Sequence, residues 1–298
     1  MVARVLVVGS VNVDLHLRVE RLPAAGETVL ASELSRLPGG KGANQAAALA
    51  GLGVDVQFLG AVGRDAEGAL SRAALESAGV GTRWLRDTDA PTGLAVVSVD
   101  DAGDNVITVL IGANAEVLDE DLIGAAFDDV DAVLLQLELP MGTVAAAARA
   151  GRAAGATVVL NAAPAQPLDA TLLGDIDLLV VNRGEAAVLA GSTSVDEIGS
   201  LAAAVRGALV VTLGGEGCLV VDAAGARPVP AYPAAVVDST GAGDCFVAAL
   251  VAELVGGAAL DRAADFANAA AALSVTRPGA RSAPSRGEIA AAWPRRGR

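Results

Sequence analysis

From about residue 119 onward, short strand-like runs alternate with helical stretches, and this alternation limits the fold more than any other feature of the chain. Ala132–Leu137, Thr157–Leu160, Leu178–Val181 and Leu209–Thr212 read as strands; 142–154, 185–190 and 196–206 read as helices. Strand and helix in strict alternation call for a parallel, doubly wound α/β sheet with helices on both faces. Ligands of such sheets sit beyond the carboxyl ends of the strands. The N-terminal part opens with a strand (Val5–Val8), and 55–62 and 65–78 read as a strand and an amphipathic helix. Two alternating segments, about 12–37 and 93–112, interrupt the pattern. They are expected to form a small sheet standing off the main one, as a lid, with Asp101, Gly103 and Asp104 turning the second pair. No linker divides the 298 residues, so one domain with an inserted lid is expected.

The core must be built from Ala, Val and Leu, because the chain is 53% hydrophobic but only 2% aromatic. A net charge of −14 argues against nucleic acid or an anionic membrane as partner. The start lacks signal-peptide layout, and no uncharged apolar run is long enough to span a bilayer, so a cytoplasmic location is expected. Cys218 and Cys245 make neither a disulfide framework nor a zinc pattern, and Cys245 is expected to be a small buried filler. His16 is the single histidine and lies in an alternating run; no G-x-S-x-G elbow and no G-x-x-x-x-G-K-[ST] loop occur. Val8-Gly9-Ser10-Val11 lacks G-x-G-x-x-G, which disfavours a nicotinamide oxidoreductase.

Asp238-Ser239-Thr240-Gly241-Ala242-Gly243-Asp244-Cys245-Phe246 carries the chemistry. A small-residue loop feeding an apolar helix (Phe246 to Val255) leaves backbone N–H groups free for an anion. Asp244 beside such a site fits a proton acceptor next to phosphoryl oxygens; a plain helix cap is the other reading. Gly39-Gly40-Lys41-Gly42-Ala43-Asn44 is a second glycine loop before a helix of about 43–52, and Lys41 is the chain's one lysine against twenty arginines. That bias fits either a site wanting a compact ammonium or chance retention. Asn12 and Asp14 share one face of an extended segment and suit either sugar hydroxyls or solvent. Glu138 ends a strand at the expected place for a ligand contact. Asn182 and Glu185 form N-x-x-E, which either orients a hydrated Mg²⁺ and phosphate oxygens or caps a helix. Gly214, Gly215 and Gly217 follow a buried strand, as a ligand loop or a hairpin turn.

Together, these motifs resemble the two signature regions of the ribokinase-like (PfkB) carbohydrate kinases. The resemblance covers nearly the whole chain in order, including Gln136-Leu137-Glu138, Asn161-Ala162-Ala163-Pro164-Ala165, Thr212-Leu213-Gly214 and Val275-Thr276-Arg277-Pro278-Gly279-Ala280. It implies ATP-dependent phosphorylation of D-ribose at O5, giving D-ribose 5-phosphate and ADP. Asp244 would be the base, and Gly241, Ala242 and Gly243 the anion hole. Asn12, Asp14, Gly40, Lys41, Gly42, Asn44 and Glu138 would hold the sugar. Asn182, Thr212, Gly214, Gly215, Gly217, Gly243 and Asn268 would line the nucleotide site, with Glu185 near Mg²⁺ and the phosphates. A K⁺ ion would lie beside the anion hole on Asp238, Thr240, Ser274, Arg277, Gly279 and Ser282. The lid would close over the sugar and pair two subunits into a homodimer. Asn268 stands where the family often has histidine, and the segment after Gly279 is one residue shorter. Another acceptor (deoxyribose, a hexose or a nucleoside) and a non-catalytic sugar sensor are the rival readings. The intact Asp244 loop argues against the sensor.

Overall fold

The computed structural model describes residues 2–122, 124–191 and 195–292. The N-terminal elements are β1 (Arg4–Val8), β2 (Asn12–Val19), β3 (Ala31–Gly39), α1 (Lys41–Gly51), β4 (Asp55–Gly63), α2 (Ala66–Ser77), β5 (Gly81–Thr88), β6 (Gly93–Val99) and β7 (Asn105–Leu110). There follow β8 (Ala132–Gln136), α3 (Met141–Ala153), β9 (Thr157–Asn161), α4 (Ala170–Asp175), β10 (Leu178–Asn182), α5 (Arg183–Ala190), α6 (Val195–Ala204) and β11 (Ala208–Thr212). The chain continues through β12 (Gly217–Asp222), β13 (Gly225–Pro230), α7 (Ala242–Val255), α8 (Leu260–Ser274) and α9 (Arg286–Ala292).

Nine strands form the main sheet in the order β13-β12-β11-β10-β9-β8-β1-β4-β5. Every pairing from β11 to β5 is parallel, while β12 and β13 add an antiparallel edge. The α/β sheet expected from the alternation is therefore present. Its central strand shows how both faces are filled. Val5 and Val7 of β1 join the core made with α1, α7 and α8; Leu6 and Val8 join the core made with α3, α4 and α6. A strand buried on both sides needs a continuous apolar run, which β1 has.

β1 lies between β8 and β4, so the chain winds outward in both directions from it. The crevice this reversal opens at the carboxyl end of a strand is where such folds bind ligands. Gly9 stands at that end, and a Cβ there would meet Gln136 Oε1 at 2.2 Å and Gly42 Cα at 2.7 Å. Only glycine lets β1 and α1 approach so closely.

The small sheet has the order β3-β2-β6-β7. β2–β3 and β6–β7 pair antiparallel, and β2–β6 pair parallel. The turn between β6 and β7 closes as expected from Asp101, Gly103 and Asp104, with Asp100 Oδ1 accepting from the amides of Ala102 and Asp104 at 3.0 and 2.9 Å. α7 begins at Ala242, earlier than the apolar pattern from Phe246 indicates, so Asp244 sits inside its first turn. The basic tail, Arg295 to Arg298, lies outside the described residues. No helix among the described residues is long and apolar enough to cross a membrane.

Candidate active site

The start of α7 supplies the anion-binding end. Its N-cap, Gly241, has φ 74°. A side chain there would also put Cβ 2.2 Å from the Ala280 carbonyl oxygen. Gly241 and Gly243 border a cleft with Lys41, Asn182, Glu185, Thr212 and Asp244. Of the three amides expected to form the anion hole, that of Ala242 donates instead to Ser239 O at 3.2 Å. The turn uses up the alanine amide, and Gly241 and Gly243 are the two residues of the expected hole that border the cleft.

Asp244 is 8% exposed and is held by two consecutive residues of α1. Asn44 Nδ2 donates to its Oδ2 at 3.1 Å, and Gln45 Nε2 donates to its Oδ1 at 2.9 Å. Gln45 is fixed in turn: its Nε2 also donates to Asn161 Oδ1 at 2.9 Å, and its Oε1 accepts from Gln136 Nε2 at 2.7 Å. Burial pushes the Asp244 carboxyl above its ordinary range, against the pull of Lys41, Gln45 and Asn44. An ionised carboxylate accepts only, so both amides must present N–H to it. The result is a base of raised affinity for protons, oriented at both oxygens. The sequence reading gave no role to Gln45, Gln136 or Asn161. The available signal was Gln45's place directly after Asn44, on the same helical turn.

The acceptor end is built where β1, β2 and α1 meet. Glu138 Oε2 accepts from the Lys41 amide at 3.0 Å and from Ser10 Oγ at 2.5 Å. The Gly42 amide donates to Ser10 Oγ at 3.3 Å, so the loop expected to hold a sugar is itself tied to Glu138. Gly40 caps α1 with φ 88°. Asn12 is buried, and its Oδ1 accepts from Asn114 Nδ2 at 2.8 Å. Asn114 further brackets Val11, accepting from its amide and donating to its carbonyl. Ser10 and Asn114 are thus supports that sequence reasoning missed.

Asp14 is different, because it takes no hydrogen bond among the described residues. Burial, with Glu138 and Asp244 nearby, raises its pKa to about 6 despite His16 and Arg281. Gly39 has no Cβ because one would sit 2.3 Å from Asp14 Oδ1.

Asn182 and Glu185 realise the capping reading of their N-x-x-E spacing. They form a capping box at α5: Glu185 N donates to Asn182 Oδ1 at 2.8 Å, and Asn182 N to Glu185 Oε2 at 2.7 Å. They also line the cleft, where burial raises Glu185 despite the Asn182 amide and the charge of Lys41. Thr212 lines it too, whereas the 3₁₀ turn Gly214–Glu216, Gly217 and Asn268 lie outside that lining. Gly217 has φ 101° and would place a Cβ 2.1 Å from Val229 O, which explains its glycine by strand packing. Asn268 spends its amide on Val229 O at 3.0 Å and Pro230 O at 3.3 Å, pinning α8 to β13.

Residues expected around a monovalent cation come together beside α7. Asp238 accepts from the amides of Thr240 and Gly279 at 2.8 Å each; these bonds overcome burial and lower its pKa. Ser274 O accepts from Arg277 N at 3.1 Å and from Ser282 Oγ at 3.1 Å. Cys245 is buried, its thiol pushed up to about 12 by burial, so it is the inert filler expected.

The model of the pfkB family carbohydrate kinases matches residues 2–286, and the chain belongs to that family. Ribokinase of Bacillus subtilis is 37% identical over 291 residues, covering 96% of this chain and 97% of that protein. The solved structure of Arabidopsis thaliana ribokinase with ribose and ATP superposes with a TM-score of 0.89 at 36% identity, covering 97% of this chain and 98% of that one. The ATP-dependent ribose-1-phosphate kinase of Halopiger xanaduensis is 37% identical and covers 97% of each chain.

Proposed function

We propose that this carbohydrate kinase transfers the γ-phosphoryl group of ATP to O5 of D-ribose, with Asp244 as the base. The observation that carries the reading is the single cleft joining Lys41, Asp244 and the α7 glycines to Asn182, Glu185 and Thr212. A sugar held by Asn12, Asp14, Gly40, Asn44 and Glu138 would present its terminal alcohol to Asp244. As the O5–H proton passes to Asp244, O5 bonds to phosphorus, and the bond to the β-phosphate oxygen breaks with its electron pair leaving on ADP. The Gly241 and Gly243 amides and the Lys41 ammonium would stabilise the charge on the transferring group.

Nucleotide contacts are proposed for Asn182, Thr212, Gly214 and Gly215, with Gly217 and Asn268 shaping the adenine side through the framework contacts described. The neighbouring carboxylates Glu185 and Asp244 suit a dication. Mg²⁺ arriving with ATP would be held near Glu185 and neutralise phosphate charge. The hard oxygens of Asp238, Thr240, Ser274, Gly279 and Ser282 suit K⁺, which would order the loop before α7. Lid pairing into a homodimer is supported by exposed apolar side chains on the edge strands: Leu34 of β3 is 54% exposed, and Val106, Val109 and Leu110 of β7 are 53%, 57% and 51% exposed. Use of ATP is consistent with the cytoplasmic location we propose.

The test is ADP release across pentoses, hexoses, nucleosides and ribose 1-phosphate, with and without K⁺, for the wild type and Asp244→Asn. Ribose should give the highest kcat/KM, and Asp244→Asn should lower kcat at least ~10²-fold with the fold intact. Near-normal turnover by Asp244→Asn would remove it from the chemistry, and preference for another acceptor would reassign the substrate.

A further inference from the structure

Arg281 lies in the segment between α8 and α9 and reaches α1 at Asn44. Its Nε donates to Asn44 Oδ1 at 3.2 Å. Asn44 passes the interaction on, since its Nδ2 donates to Asp244. The other arm of the guanidinium is not used in this way. Nη2 is buried and has no hydrogen-bond partner among the described residues. A buried charged donor without an acceptor is costly, and folded proteins seldom keep one without a reason.

The opposite charge that acts on Arg281 is Asp14. It raises the proton affinity of Arg281, whose pKa burial lowers to about 10, and Arg281 in turn lowers that of Asp14. Yet the two form no salt bridge, and Asp14 takes no hydrogen bond among the described residues. An acceptor-only carboxylate and a donor-only guanidinium therefore each keep unused hydrogen-bonding capacity beside the same site, Arg281 tied to it through Asn44 and Asp14 through the charges of Glu138 and Asp244. A sugar hydroxyl is the group that satisfies both, because it donates one hydrogen and accepts at its lone pairs.

We propose that Arg281 Nη2 and the Asp14 carboxylate bracket one hydroxyl of the acceptor sugar, one other than the alcohol that is phosphorylated, and that Arg281 is therefore an acceptor-selecting residue. The inference rests on the kinase reading above and adds a contact to it. The bracketed hydroxyl belongs to a neutral polyol. Asp14, Glu138 and Asp244 outweigh Lys41 and Arg281 around this pocket, so a phosphate or carboxylate on the acceptor would meet net repulsion. Arg281's contact with Asn44 sets where Nη2 points, and Asn44 separates it from the reacting end at Asp244.

The test is a cycle between protein and substrate groups. Wild type, Arg281→Met and Arg281→Gln are assayed on D-ribose, on its 1-, 2- and 3-deoxy analogues and on ribose 1-phosphate, with KM for ATP measured alongside. Loss of a charge-assisted hydrogen bond should raise KM for ribose roughly 10-fold or more in Arg281→Met, with KM for ATP unchanged. Arg281→Gln, which keeps a donor, should recover part of the loss. On one deoxy analogue, the one lacking the bracketed hydroxyl, wild type and Arg281→Met should become nearly equal. An equal loss on every analogue would mean that Arg281 only orients Asn44, and would overturn the proposal. So would an unchanged KM for ribose, or a wild-type preference for ribose 1-phosphate that disappears in Arg281→Met. Wild-type protein that phosphorylates no sugar would instead sink the kinase reading itself, a result separable from all of these.

Discussion

Gln45→Met tests whether the base is held by a chain of amides. Methionine keeps the length of the side chain but cannot donate to Asp244 Oδ1, a bond of 2.9 Å in the structure. It also strands Gln136 Nε2, which now donates to Gln45 Oε1 at 2.7 Å. A hydrogen bond to a charged group contributes about 1.5–3 kcal/mol. Its loss should raise the Asp244 pKa further. The direction is fixed by the present balance: burial already raises this carboxyl, and Gln45 is one of the groups lowering it. Catalysis needs the ionised form, so the acid limb of kcat/KM for ribose should move to higher pH. Activity at neutral pH should fall more than activity well above the limb. The assay is initial rate against pH at saturating ATP, with thermal melts to establish that the variant folds. A folded Gln45→Met whose acid limb stays at the wild-type position would refute the idea that Gln45 sets the state of the base.

Asp14→Asn should stabilise the protein while weakening ribose binding. The folded pKa of Asp14 is about 6 against the ordinary 3.8, so the destabilisation is absent below the lower value, grows as pH rises between them and is complete above the upper one. Urea melts should show a gain of about 1–3 kcal/mol at pH 8 that vanishes near pH 4; a loss at pH 8 would contradict the burial argument. Gly241→Ala should lower kcat at least ~10²-fold, because a Cβ 2.2 Å from Ala280 O forces the loop away from the transferring group. Near-normal turnover in that variant would show that the loop geometry is not required.

The fold was legible where burial is two-sided. β8, β9, β10 and β11 are uninterrupted apolar runs, and each emerges within a residue of its sequence reading. β5 was harder, because Arg83, Arg86 and Asp87 break its apolar pattern at the sheet edge. α8 was hidden by composition: its buried face is almost all alanine, too weak in hydrophobic contrast to mark a period. At the site, the charged residues at motif positions were readable because glycines frame them. Gln45, Ser10 and Asn114 were not, since an uncharged side chain that only orients another looks like any polar residue until the fold brings its partner near. Arg281 falls between these cases. Its charge is plain in the sequence, but its contact with Asn44 exists only after segments far apart in sequence are brought together.

β2 belongs to the small sheet along its whole length, and it also carries Asn12 and Asp14. Grip on the acceptor and posture of the cover are therefore not separate variables. Any swing of β2 about its short connection to β1 would carry Asp14 with it, so under the proposed reading whatever favours a closed lid would also tighten the hold on sugar, and reciprocally. Changes made far out on β3 or β7, touching no ligand, should thus register as altered acceptor affinity, and a second subunit gripping those strands would be felt in each pocket.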